Sequence, residues 1–546
     1  MSWKYILDSV NTENKYFIAG AIAQQLIKDE KNLATNNEIS DCAVYAPRMK
    51  SSLDKQYDLA HLIAYIVYPD YVAQIFLNKD FDIIKTHSYI IYQRLLSTLK
   101  KVYLEQEESK KQNVIKLKTA KDMRNNYEFY DKQPAKDAII NPDAMPVDIA
   151  PEKELNDFFN RLKQNTPVIG KDYVQFVRGA YYSDGRIDLC KQVVGHLHIQ
   201  KLMESIKQNP HIKHFLLGNN IIDCIGAKSI GDFITSDHKS KIETWYIAGN
   251  RINSEGIKII AEALKKDSDT KTLWLKRNPL GYEGVKYLGE MLEVNNNIEC
   301  IDIHNVNAGD DGIKFLFESL KKNNTLRRLY IDANNITTQG TKYIADYFNF
   351  LKKNNKIGLT SIWLDMNRIY DEGAIILADG FENYPHLERL IIGSARIKAN
   401  GATYLLNKLQ SCKNLMLLDL GAYKSTGDMG ELPNFIGDDG VDAIKKFIEN
   451  NNTVKIMDIS QNNISNEGLN KILDSFEKNN TLLHINYNQY GVDVSKDTKD
   501  KFFMLMERNV RNNLGMTYNE FHKGHLRLMK HTEDILKIDS IYRNNM

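Results

Sequence analysis

The chain has 546 residues, with 72 Lys and Arg against 70 Asp and Glu, giving a formal net charge of +2. That balance argues against a nucleic-acid binder that holds phosphates by bulk charge, and a hydrophobic content of 42% argues against a disordered tail protein. Cys42, Cys190, Cys224, Cys300 and Cys412 form no CxxC pair, so they read as reduced thiols in a cytosolic protein rather than a disulfide framework.

In chain order, Met1 to Tyr16 carries Asp8 and Glu13 and lacks an apolar core of signal-peptide length. Residues 1–105 are expected to form a helical N-terminal domain, because Tyr57–Leu77 and Phe81–Tyr103 repeat apolar residues at spacings of three and four. The best apolar stretch there, Leu62–Tyr68, is about a third of a membrane crossing, so no membrane insertion is expected. Residues 106–160 read as a charged, Pro-containing linker ending in a short helix over Glu152–Leu162. Residues 497–546 are expected to form a helical cap, with Phe502, Met506, Val510 and Leu514 recurring every four residues to seal the end of what precedes them.

Residues 161–496 are dominated by an internal repeat. Ile212, Phe215, Leu217, Asn220, Ile222 and Gly226 have the form LxxLxLxxNxI followed by Gly. The pattern returns at Ile242–Gly256, Leu273–Gly284, Leu326–Gly340, Leu359–Gly373 and Val454–Gly468, with degenerate copies between. Gly256, Gly284, Gly312 and Gly340 are each 28 residues apart. LxxLxL is a short strand with its Leu or Ile turned into the core, and the Asn amide can bond loop backbone where the chain leaves the strand. A helix follows the Gly: Ile257, Ile260, Ala261 and Leu264 make one apolar face, and a polar run such as Lys321–Asn324 ends it. One unit cannot bury its own apolar face, but stacked units share a core.

This pattern resembles leucine-rich-repeat proteins, and the 28-residue period with a full helix resembles their ribonuclease-inhibitor-like subclass. The resemblance covers roughly Gly185 to Tyr490. It implies an α/β solenoid of about ten to eleven repeats, a horseshoe with a parallel sheet on the concave side and helices on the convex side. It also implies binding more often than catalysis. Val306 and Ala395 depart from the pattern by replacing the loop Asn. Lys424–Phe435 interrupts one unit and reads as an exposed loop, and the unit spanning Tyr343–Leu359 is longer than the rest.

Side chains alternate across a strand, so the residues between the core positions face the concave surface. One such column reads Asp188, Leu216, Tyr246, Trp274, Asp302, Tyr330, Trp363, Ile391, Asp419, Asp458 and Asn486. Beside it lie Lys276, His304, Asp332 and Asp365, with Arg277 near the loop edge. Tyr246 to Trp363 spans roughly 20 Å at the spacing of parallel strands. Exposed Tyr and Trp flanked by charges are typical interface anchors, while neighbouring rings can also simply stack along the ladder.

The expectation is a non-enzymatic scaffold that binds a protein partner through Tyr246, Trp274, Tyr330 and Trp363, with Lys276, Arg277, Asp302, His304, Asp332 and Asp365 setting orientation. The alternative is a bacterial effector whose repeats target a host protein and whose helical N-terminal region carries the activity, placing it in the host cytosol. No P-loop, HExxH or GxSxG is present. Cys300-Ile301-Asp302 is similar to the nucleophile motif of bacterial leucine-rich-repeat ubiquitin ligases but lies inside a repeat strand. His196, His198, His522, His525 and His531 lack Cys or carboxylate partners at ligand spacing and read as surface histidines, so no metal or cofactor is expected.

Overall fold

The computed structural model describes residues 149–543 apart from 425, 427–430 and 490. The helical domain expected over residues 1–105, and the linker as far as 148, lie outside the described residues.

The chain enters through α1 (Glu152–Lys163), β1 (Tyr173–Gln175), β2 (Ala180–Tyr182) and β3 (Arg186–Asp188). Helix and strand then alternate: α2 (Gly195–Ile206), β4 (His214–Leu216), α3 (Asp223–Thr235), β5 (Thr244–Tyr246), α4 (Ser254–Leu264), β6 (Thr272–Trp274), α5 (Gly281–Leu292), β7 (Cys300–Asp302), α6 (Gly309–Leu320) and β8 (Arg328–Tyr330). The series continues with α7 (Thr338–Lys353), β9 (Ser361–Trp363), α8 (Tyr370–Phe381), β10 (Arg389–Ile391), α9 (Ala399–Leu409), β11 (Leu417–Asp419), α10 (Val441–Asn450), β12 (Ile456–Asp458), α11 (Asn466–Lys478), β13 (His484–Asn486) and α12 (Lys496–Leu514).

All thirteen strands form one sheet in sequence order. β1, β2 and β3 pair antiparallel, as a hairpin that covers the first repeat edge. From β3 to β13 every pairing is parallel, as the repeat pattern requires. The strands are only three residues long because each carries one inward residue between two that face the other way. Leu273, Ile301 and Leu329 are that inward residue and are fully buried. Each such burial contributes about 1.5–3 kcal/mol. On α4, Ile257, Ile260, Ala261 and Leu264 are the buried face, as their spacing predicts.

The loop asparagines form a ladder. The side chain of Asn278 accepts from the backbone N–H groups of Asn250 (2.8 Å) and Ile252 (3.1 Å) and donates to the carbonyls of Ile247 (3.0 Å) and Leu275 (2.8 Å). Asn250 makes the same links to the preceding repeat. A second ladder, which the repeat consensus did not reveal, runs along the opposite loops. Asn295 and Asn323, from the polar runs that end the helices, are buried and donate to the carbonyls of Leu264 and Leu292 one repeat back.

Two departures have clear physical outcomes. The long unit extends its helix, with α7 running 16 residues, and Tyr347 and Tyr384 fill the added space by accepting from the N–H groups of Leu359 and Gly358 at 3.1 Å. The stretch 424–435, expected to be exposed, is partly packed down. Leu432 and Asn434 are buried, and Glu431 takes ion pairs from Arg396 (2.8 Å) and Arg368 (3.1 Å). Asn434 restores the ladder: it donates to the carbonyl of Leu420 fourteen residues earlier, where Asn278 reaches Leu275 three residues earlier.

α12 closes the last repeat with Phe502, Met506 and Val510 buried, and Phe502 stacks on Tyr487 at 4.0 Å. Leu514, expected to join them, is 41% exposed, because the helix ends there with Gly515 in the left-handed region at φ 69°.

Candidate functional site: a concave face crossed by the chain's own strap

Strand pairing places Tyr246 beside Trp274, Trp274 beside Asp302, Asp302 beside Tyr330, and Tyr330 beside Trp363. The column read from the sequence is therefore real. Its exposure is not. Tyr246, Trp274, Tyr330 and Trp363 are only 2%, 2%, 6% and 4% exposed. The cause lies in the residues after Gly515, which run back across the concave sheet as a strap instead of ending over the last repeat.

The strap is a helical run (Tyr518–Glu520, Phe521–His525, Leu526–His531), a break at Thr532 with φ 67°, a turn of helix over Asp534–Lys537, and a tail to residue 543. Thr517 and Glu520 start it with reciprocal caps. Its contacts descend the sheet from β13 to β3, and the last residue turns back to β5. Tyr518 meets His484 on β13, with the hydroxyl 2.6 Å from Nδ1. The Met529 carbonyl accepts from Arg389 on β10 at 3.0 Å. His531 stacks over Trp363 on β9, with centroids 6.4 Å apart and planes 9° apart. Asp534 pairs with Arg328 on β8 at 2.6 Å. The carbonyls of Leu536 and Asp539 accept from Arg186 on β3 at 2.8 Å. Ser540 and the Ile541 N–H donate to the Asp188 carboxylate at 3.0 and 3.1 Å. Arg543 donates to the Tyr246 hydroxyl at 2.6 Å and lies 4.3 Å from its ring centroid.

Part of the aromatic column also stacks on itself. Tyr330 and Trp363 are parallel at 3.8 Å, and Trp274 reaches over Asp302 to Tyr330 at 5.5 Å. Stacking and cover by a peptide segment thus occur together. Sequence reasoning overlooked a neighbouring column, two residues earlier on each strand, whose basic members are Arg186, His214, Arg328, Arg389 and His484. Four of these five make direct strap contacts. Extending the same two-residue alternation back one step would have found them.

The other candidates divide by role. Asp188, Asp302, Asp419 and Asp458 each accept from the backbone N–H two residues on, which turns the chain out of its strand. Asp332 accepts from the Asp365 N–H at 2.9 Å, and Asp365 from the Gly393 N–H at 2.7 Å. His304 sits 3.3 Å from Asp332. Arg277 is exposed at the loop edge, outside the strap's cover. Lys276 is half-buried, its ammonium held above the usual value by Tyr246 and then Asp302.

Burial, then the charge of Asp332, pushes the Asp365 carboxyl well above the usual carboxylate range. Burial, then Asp458, pushes Asp419 up to about 7, and Lys530 of the strap opposes both that shift and the one at Asp458. Burial lowers His531 to about 4, with Lys530 adding to it, and lowers His214 to about 4, with Lys537 of the strap adding to it. His522 and His525 are surface residues as expected, whereas His531 is turned into the concave face. Burial raises the Cys300 thiol, opposite to what a nucleophile needs.

The strap does not fill the groove. A cavity of about 390 Å³ remains between them, lined by Trp274, Tyr330, Trp363 and the Asp302, Asp332 and Asp365 carboxylates on one side and Lys530, His531 and Ile535 on the other. The Trp274 indole N–H and the Tyr330 hydroxyl have no hydrogen-bond partner among the described residues. An unmade bond of this kind costs about 1–3 kcal/mol.

Residues 450–473 match the family model described as Leucine Rich repeat, and they span one helix end, loop, strand and Asn462 of the ladder. The solenoid is built of leucine-rich repeats. A relative among curated proteins, FERM domain-containing protein C of Dictyostelium discoideum, is 29% identical over 121 residues, which cover 22% of this chain and 8% of that protein. Among solved structures, an internalin from Listeria monocytogenes is similar at 16% identity and TM-score 0.33, covering 66% of this chain and 94% of that one. The TLR13–ssRNA13 complex gives 12% identity and TM-score 0.31, covering 55% and 42%. No helix among the described residues is long and apolar enough to cross a membrane.

Proposed function

We propose that this leucine-rich-repeat protein is a recognition scaffold whose concave face takes up a polypeptide segment of a protein partner, with Tyr246, Trp274, Tyr330 and Trp363 as anchors. The observation that carries the reading is the strap: the face already holds a peptide segment through stacking, ion pairs and backbone hydrogen bonds. Lys276, Asp302, His304, Asp332 and Asp365 surround the cavity beneath it and would set the orientation of an incoming segment. Arg277 would act from the rim. The 28-residue period supports the ribonuclease-inhibitor-like subclass. The effector alternative needs an activity in residues 1–105, which lie outside the described residues.

The test is affinity capture with mass spectrometry, comparing wild type with Trp274→Ala combined with Trp363→Ala. Loss of partners is expected. An unchanged partner set, with the fold intact by circular dichroism, would refute concave recognition.

A further inference from the structure

We propose that residues 516–543 are an intrachain competitor for the concave face, and that the partner is a segment of matching chemistry which docks after the strap lets go. This rests on the reading of the concave face as the recognition surface. That chemistry is specific: a guanidinium against Tyr246, a flat ring against Trp363, a carboxylate against Arg328, and hydroxyl or N–H donors against Asp188.

Three observations make the strap a displaceable occupant rather than a permanent part of the core. Among the described residues after Thr532 only Ile538 and Ser540 are fully buried, Ile535 and Tyr542 pack partly against the core, and the remaining contacts of the distal half are polar. Segments with few buried apolar contacts occupy the low-stability end of a structure and open locally. The distal half also has a defined pivot. Thr532 breaks the strap's helical run in the left-handed region at φ 67°, so the distal half can lift from the sheet while Tyr518, Phe521 and Leu526 stay buried. Finally, the fit is incomplete, with the cavity and the unpartnered Trp274 and Tyr330 groups beneath it. An occupant that fills this space and satisfies those groups outcompetes the strap, although the strap's tether gives it an effective concentration on the order of millimolar.

The experiment uses the full chain and a fluorescein-labelled peptide of residues 516–543 as the probe. The comparison is wild type against a variant altered only in the strap: Asp534→Ala, Ser540→Ala and Arg543→Ala together. Peptide anisotropy is expected to show at least about tenfold tighter binding to the variant. Trypsin is expected to cut the variant after Lys530 or Lys537 at least about tenfold faster, because the open population sets the cleavage rate. Adding Trp363→Ala to the variant is expected to abolish peptide binding. Equal peptide affinity and equal cleavage in wild type and variant would overturn the competitor role while leaving concave recognition standing. Faster cleavage with no peptide binding up to about millimolar concentration would instead overturn concave recognition, and the partner chemistry with it. Should the triple variant fail to fold by circular dichroism, Ser540→Ala alone carries the same readouts in the same directions.

Discussion

Asn278→Ala is the sharpest test of what holds the solenoid together. The side chain is fully buried and makes four hydrogen bonds, two accepted and two donated, three to backbone groups of the preceding repeat and one to its own. Each buried bond contributes about 1 kcal/mol net, and each backbone group left unpaired costs more than that. The sum is roughly 4–6 kcal/mol, a loss reached only by network-breaking changes. Urea denaturation followed by circular dichroism reads the change in midpoint and slope. Because each repeat leans only on its neighbours, a second transition or a fall in slope is also expected as the repeats on either side of Asn278 uncouple. Lys266→Ala, an exposed residue just after α4 with ordinary backbone dihedrals, serves as the control and should change stability by no more than about 0.5 kcal/mol. A loss below about 1.5 kcal/mol for Asn278→Ala, with an unchanged slope, would refute the ladder as the main organiser of the loops.

Further predictions concern charge and packing beneath the strap. Asp419 is held up to about 7 by burial, so its ionisation works against the fold as pH rises from its unfolded value near 4 through 7. Asp419→Asn should therefore be close to neutral at pH 4 and stabilising at pH 8, on the order of 1–2 kcal/mol after discounting its residual exposure. His531 shows the opposite sign. With its value lowered to about 4, its contribution is complete above its unfolded value near 6.5 and is lost as pH falls toward 4. His531→Gln should flatten the rise in strap cleavage between pH 7 and 5, the difference from wild type corresponding to roughly 1–2 kcal/mol at pH 5. Leu329→Ala removes a fully buried strand residue and should cost about 2–5 kcal/mol in urea denaturation.

The solenoid was legible in the sequence because its signals are local and repeated. The inward residues, the loop Asn and the apolar helix face each recur in a fixed order, and the structure places Leu273, Asn278 and Ile257 where that order demands. The concave column was legible for the same reason, since strand alternation fixes which residues face which way. Its burial was not. Asp188 meets Ser540 across 352 residues and Arg186 meets Asp539 across 353, and no spacing rule reports a contact at that range. The strap also lacks any repeat, and its mix of charges and short apolar groups reads as an ordinary terminal helix. A faint signal did exist: four large rings on one strand column form a patch that seldom stays open to water unless something covers it.

The central claim, that the concave face rests under the chain's own strap, is tested most directly by hydrogen exchange on the full chain. The Thr532 N–H, bonded to the Leu528 carbonyl at 2.8 Å, and the Ile541 N–H, bonded to Asp188, should exchange at least about tenfold slower than unprotected amides. They should still exchange faster than the Ile247 and Leu275 amides, which belong to the sheet ladder. Exchange at the unprotected rate across residues 532–543, with the sheet amides still protected, would mean that the face stands open and would contradict the claim.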